Sequence, residues 1–284
     1  MKIGIWGDRK WGDQHYSKLK SFGFDCYDFG MLDTTVPPFT YEDEEFEKYL
    51  RNEKRLADEA GIKIWQVHGP WRYPPLDATE ADRAERLEKM KRSIHGTAIL
   101  GAKYWVVHPL MPYGTTDILT NNAAETLKIN LEFMSKLLPT AKQEGVTICL
   151  ENMPYLDFSL SSPQTIIDIV KEINDPSFAM CLDTGHTNVR KDWLSPAAAV
   201  REYGKYIKVF HVHDNSGKRD EHLVPFGGSI DWADFSRALH DTNFEGTLSL
   251  ECAPSSRLPD DICEDMYSLY FRIAKAVSEL YKQS

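Results

Sequence analysis

Apolar runs of strand length recur along this chain, each separated from the next by room for one helix, and that alternation constrains the fold more than any other feature. The runs lie at 2–6, 24–31, 63–68, 103–108, 146–151, 178–183, 206–213 and 247–252. Helical stretches are expected near 14–21, 41–60, 79–100, 121–144, after 162, after 195, near 231–241 and from 259 onward. The punctuation agrees: Gly61, Gly101 and Gly145 stand where helices favour glycine just past their ends, and Ser162-Pro163 and Ser195-Pro196 read as an N-cap followed by proline at the first helical position. The runs are mostly continuous rather than alternating, as suits parallel strands with helices outside and a packed interior within. Eight strands alternating with eight helices predict an α/β fold, a single (β/α)8 TIM barrel spanning 1–284, and such a barrel takes roughly 250 residues. A doubly wound open sheet also alternates, but it presents ligands at one switch point instead of gathering them from many strands.

Six of the runs end in residues that bind metals. They are His68 (IKIWQVHGP), His108 (AKYWVVHPL), Glu151 (VTICLENMP), Asp183 (CLDTGH), His211 (YIKVFHVHD) and Glu251 (TLSLECAP). In a barrel all strand C-terminal ends meet on one face, so residues as distant as His68 and Glu251 become neighbours there. Glu151, Asp183, His211 and Glu251 supply carboxylate oxygens and an imidazole nitrogen, a set that accepts Mn, Zn, Co, Fe or Mg and leaves positions open for substrate oxygens. A closed structural zinc cage would use more cysteine, and Cys26, Cys149, Cys181, Cys252 and Cys263 form no CxxC pair. Glu151 and Glu251 stand on strands 5 and 8, nearly opposite. A carbon acid held between them loses a proton to one and regains it from the other while the metal stabilises an enediolate.

Other residues carry second readings. His211 and His213 are two apart on one strand and share a face, so spacing alone does not choose between them. His68, His108 and His186 are expected to bind substrate or further metals. Asp220 and His222 form a D-x-H pair that would otherwise be an ordinary solvated loop, and Arg219 beside them is a candidate for a substrate oxygen or phosphate. Trp71, after His68-Gly69-Pro70, is the candidate aromatic wall of a pocket. His15, His95 and His240 fall in helical stretches and are expected to be structural or superficial.

The formal net charge of −10 argues against a general affinity for nucleic-acid phosphates. No apolar run approaches the ~18 residues of a membrane span, and the first thirty residues carry no signal-peptide pattern, so a cytoplasmic protein away from membranes is expected.

Together HGP at 68–70, HP at 108–109, LEN at 150–152, CLDTGH at 181–186, HVHD at 211–214, RDEH with PFGGSIDW across 219–232, and SLE at 249–251 resemble the xylose isomerase-like TIM-barrel superfamily, and within it the sugar phosphate isomerase/epimerase group. The resemblance spans nearly the whole chain. It implies metal ligands at Glu151, Asp183, His211 and Glu251, with His211 chosen by the H-x-x-D motif, an acid/base role for the two glutamates, and substrate contact by His186. The implied substrate is a sugar, keto-sugar or related polyol, and homo-oligomeric assembly is left open. The same superfamily holds dehydratases and lyases and also endonuclease IV, a three-zinc abasic-site nuclease whose extra ligands would fall on His68, His108, His186, Asp220 and His222. Trp71 to Tyr73 could then enter a base stack, but the acidic balance and the PFGGSIDW segment look more like the sugar branch.

Overall fold

Eight parallel strands follow one another around a ring in the computed structural model, which describes residues 1–71, 74–189 and 194–283. They are β1 (Lys2–Trp6), β2 (Cys26–Gly30), β3 (Lys63–His68), β4 (Tyr104–Val107), β5 (Thr147–Glu151), β6 (Phe178–Asp183), β7 (Ile207–His211) and β8 (Thr247–Leu250). Neighbours pair in chain order from β1 to β7, and β8 pairs back onto β1. The ring closes just beyond β7, where Val212 N donates to Ser249 O (2.8 Å) and Glu251 N donates to Val212 O (3.0 Å). The chain is a (β/α)8 barrel, as the alternation predicts.

The outer layer holds α1 (His15–Phe22), α2 (Asp43–Ala60), α3 (Glu80–Ile99), α4 (Ala123–Glu144), α5 (Pro163–Ile173), α6 (Thr184–Val189), α7 (Pro196–Tyr203), α8 (Trp232–Asp241) and α9 (Asp260–Glu279). The cap signals operate as expected: Ser162 Oγ accepts from Thr165 N and Ser195 Oγ from Ala198 N, both at 3.2 Å. Gly61 and Gly145 turn the chain at φ of 70° and 68°, values that cost glycine nothing. Two expectations need correction. The described residues contain a ninth α-helix, α6, because the turn after Asp183 winds at once into a helical segment carrying His186. The run at 206–213 ends as a strand at His211, since Asp214 leaves the sheet to bridge antiparallel to Leu223.

Two apolar layers result. The larger packs strands against helices around Ile5, Val67, Trp105, Leu150, Leu182 and Phe210, and a smaller one of Val106, Cys149, Ala179, Cys181 and Val209 fills the barrel interior. The five cysteines are free and buried. Side chains alternate along a strand, so the residues two beyond this interior layer face the same way: His108 after Val106, Glu151 after Cys149, Asp183 after Cys181, His211 after Val209. The interior-facing register lifts the polar residues to the mouth of the barrel.

Two irregularities keep that register in phase. Between β2 and β3 the pairing steps from Tyr27–Ile64 to Asp28–Gln66, so Trp65 is an extra residue. Between β6 and β7 it steps from Met180–Ile207 to Cys181–Val209, so Lys208 is extra. A bulge re-aims the side chains beyond it, and these two put Gln66, His68, Val209 and His211 on the interior side.

Candidate metal and acid-base site

The ligand-type atoms gather in three groups, within each of which they lie no more than 4.8 Å apart: Glu151, Asp183, His211 and Glu251; His68, Glu151 and His211, which shares two residues with the first; and His186, His213, Asp220 and His222. Glu151 is fully buried and central. Its Oε1 is 2.8 Å from His211 Nδ1, and its Oε2 is 3.2 Å from His108 Nε2 and 3.6 Å from His68 Nε2. Glu251 Oε2 lies 3.4 Å from His211 Nδ1. His186 Nε2 approaches Asp220 Oδ2 at 3.3 Å, and Asp220 Oδ2 lies 3.0 Å from His222 Nε2. His213 Nε2 lies 3.0 Å from Asp183 Oδ2, and its ring stacks on His222 at 4.0 Å.

Backbone and support residues fix these side chains. Asp183 Oδ1 accepts from His186 N (2.6 Å), and His186 Nδ1 donates to the Asn152 carbonyl (2.7 Å). Asn152 Nδ2 donates to the Asp183 carbonyl (3.2 Å) and to Thr187 Oγ1 (3.1 Å), tying the end of β5 to the start of α6. His213 fits beneath α6 only because residue 185 is glycine: a Cβ there would lie 2.0 Å from His213 Cε1.

The electrostatics separate the two glutamates. Burial would raise Glu151, but the charge of His211 and the bonds to His108 and His211 hold it well below the usual carboxylate range. Glu251 is pushed up to about 8, by burial first and then by the charges of Glu151 and Asp183. Burial would lower His186 and His222, yet Asp183 and Asp220 raise His186 to about 10, and Asp220 with Glu251 raises His222 to about 9. His68, buried beside His108, is depressed to about 3 and is neutral. A cation among these groups would become the largest local charge and draw Glu251 back down.

The donor set fits a divalent cation. Three carboxylates share one cluster, and Glu251 Oε2 and Asp220 Oδ1 are buried without a hydrogen-bond partner. Oxygen and nitrogen donors at such density suit Zn, Mn, Co, Fe or Mg. The pocket above them, about 210 Å3, is lined by Trp6, Trp71, His68, His186, Asp220 and Glu251 among others.

The sequence-chosen residues therefore converge, with one exception. Arg219 points away, its side chain 80% exposed and paired with Glu221 at 3.1 Å. Trp71 stands at the rim, 40% exposed, its ring 5.6 Å from that of His108; residues 72 and 73 lie outside the described residues. The sequence missed Asp28, left His213 second to His211, and gave Asp214 only as part of the H-x-x-D motif. Asp28 is buried in β2, with Oδ2 3.2 Å from His211 Nε2 and 2.8 Å from Gln66 Nε2; an acid inside an apolar run was its only signal. His213 joins the third group directly. Asp214 pins the following loop, accepting from Asn215 N (2.8 Å), Gly228 N (3.0 Å), Ile230 N (3.2 Å) and Trp232 Nε1 (2.9 Å).

A barrel with acids and histidines at its strand ends defines the class, and the sequence profile of the xylose isomerase-like TIM barrel family matches residues 16–269. The chain belongs to that family. It is 30% identical to the uncharacterised protein MJ1311 of Methanocaldococcus jannaschii over 72% of this chain and 68% of that one. It is 25% identical to D-psicose 3-epimerase of Ruminiclostridium cellulolyticum (88% and 83%) and 29% identical to a probable endonuclease 4 of Metamycoplasma arthritidis (51% and 54%). The crystal structure of D-psicose 3-epimerase with D-tagatose from Clostridium cellulolyticum H10 superposes with a TM-score of 0.78 at 19% identity, covering 98% of this chain and 99% of that one. No helix among the described residues is long and apolar enough to cross a membrane.

Proposed function

We propose that this protein is a divalent-metal-dependent isomerase or epimerase of a sugar, keto-sugar or related polyol, working by proton transfer next to a carbonyl. One observation carries the reading: two glutamates from strands on opposite sides of the barrel, Glu151 and Glu251, converge with Asp183 and His211 on one buried cluster beneath a pocket of sugar size. Glu151, Asp183, His211 and Glu251 would hold the cation. When bound, it supplies the positive charge that offsets the oxyanion of an enediolate. Glu151 and Glu251 act as the acid/base pair, one taking the proton from the carbon beside the carbonyl and the other returning a proton to the opposite face. His186, His68 and His108 offer ring nitrogens to substrate oxygens, and Trp6 and Trp71 cover the apolar edge and limit water. The resemblance to D-psicose 3-epimerase in sequence supports this branch.

A second reading, an abasic-site nuclease with several metals, has its own support: the groups His68/Glu151/His211 and His186/His213/Asp220/His222 add donors beyond those one cation needs, and a probable endonuclease 4 is among the relatives. Incubation with a panel of ketohexoses and ketopentoses plus Mn2+, followed by chromatography, should yield epimers or aldose–ketose isomers, with no incision of an abasic DNA duplex. Metal-dependent incision whose affinity falls steeply with salt, with no sugar product, would move the assignment to the nuclease.

A further inference from the structure

β1 and β2 are the two strands that neither end on an acid or a histidine nor are followed directly by one: β1 closes on Trp6 and β2 on Gly30. Their loops build a compartment instead. A cavity of about 320 Å3 opens beside the metal-ligand pocket, lined by Trp6, Asp8, Arg9, Tyr27, Phe29, Leu32, Asp33, Val36 and Tyr49 among others. Trp6 and Leu32 line both cavities and so form the partition between them. Gly30 leaves room for that partition, since a Cβ on it would meet Trp6 Nε1 at 3.1 Å.

The lining has the composition of a sugar subsite. Trp6 and Tyr49 offer aromatic surface, the buried Tyr27 and Phe29 close the floor behind them, and Asp8, Arg9 and Asp33 add polar groups. Such a mix, mostly apolar with a few placed polar groups, marks ligand sites generally. The smaller pocket, about 210 Å3, takes one sugar unit, and the larger, about 320 Å3, has room for a second. The metal cluster lies under the smaller one, so a substrate seated there that extends past Trp6 and Leu32 enters the larger. Arg9 is already paired with the buried Glu53, so the Asp8 and Asp33 carboxylates set the balance of the lining, which disfavours an anionic group such as a phosphate and suits the hydroxyls of a neutral ring.

We infer that the substrate is a glycoside, a keto-sugar unit over Glu151 and Glu251 carrying a second, neutral sugar ring held between β1 and β2. The inference rests on the proposed proton-transfer function and names its substrate class.

Two measurements on the purified metal-bearing protein distinguish the glycoside preference from the proton-transfer function itself. The first is calorimetric binding of lactitol against sorbitol, a two-ring and a one-ring polyol that lack a carbonyl and do not react. The second is deuterium uptake from D2O into lactulose and isomaltulose, each a glycosylated fructose, against free fructose. Lactitol is expected to bind at least ~10-fold tighter than sorbitol, and at least one disaccharide to exchange at least ~10-fold more efficiently (kcat/KM) than fructose; ten-fold is the yield of ~1.4 kcal/mol of extra contact. Val36→Trp, at a half-exposed position of the second compartment, should bring both ratios toward one with an unchanged circular dichroism spectrum. Equal binding of lactitol and sorbitol, or wild-type ratios retained in Val36→Trp, overturns the inference even if fructose exchanges and the proton-transfer function stands. A preference for lactitol with no exchange into any ketose upholds the compartment and overturns the proton-transfer function instead.

Discussion

His15 is buried among Trp11, Tyr16 and Tyr27 with no hydrogen-bond partner at either ring nitrogen. Burial, aided by the charge of Arg9, lowers its pKa to about 3. The unfolded chain therefore binds a proton at His15 between about pH 6.5 and 3 that the folded protein refuses, so stability falls as pH drops through that window. His15→Phe should remove this loss: between pH 7.5 and 5 the wild type should lose about 2 kcal/mol more than the variant in urea unfolding. Equal losses would show that His15 finds a proton-accepting partner in solution. Sequence position suggested only a structural or surface histidine, because one helical residue does not announce which face it presents. The same limit hid Asp28 and misplaced Arg219. Asp28 lies within a strand whose neighbours read as apolar, and Arg219 sits in a loop whose side-chain direction depends on Glu221 beside it.

At the scale of elements, the strand ends were legible because an apolar run broken by an acid or a histidine is a local signal. Their aim was not. His68 faces the interior only because Trp65 is an extra residue against β2, and His211 only because Lys208 is extra against β6; neither residue type marks a bulge. The loop after β7 depends on one side chain. Asp214 binds three backbone amides and the Trp232 indole, all within 3.2 Å, and the loop it holds contains Asp220 and His222. Asp214→Ala leaves those donors without their acceptor and should destabilise by at least ~2 kcal/mol, with new proteolytic cleavage confined to residues 215–229. A variant that stays as resistant to protease as wild type would remove Asp214 from that role. The helix caps are simpler: Ser162→Ala and Ser195→Ala should each cost about 1 kcal/mol in urea unfolding, and a change near zero at both would mean that the prolines and burial alone start those helices.

For the whole molecule, closure of the sheet turns a list of separated motifs into a site. Eight strands in chain order bring β5 and β8 across from one another, and the ligand atoms of Glu151 and Glu251 end within 4.8 Å of shared partners although one hundred residues separate them. Burying three carboxylates together costs stability unless a cation compensates. Adding Mn2+ or Zn2+ at ~100 times its dissociation constant to chelator-treated protein should therefore stabilise the fold by about 2.7 kcal/mol, read as a rise in Tm. No rise with any divalent metal would separate the cluster from metal binding. The passage of a proton through Glu151 and Glu251, to and from the carbon beside a carbonyl, is best tested by incubating the protein with ketose substrates in D2O and locating deuterium by NMR. Deuterium is expected at that carbon alone, with a loss of at least ~100-fold in its uptake rate in both Glu151→Gln and Glu251→Gln. Product formed without deuterium at that carbon, or uptake unchanged in either variant, would contradict the acid/base role of the pair.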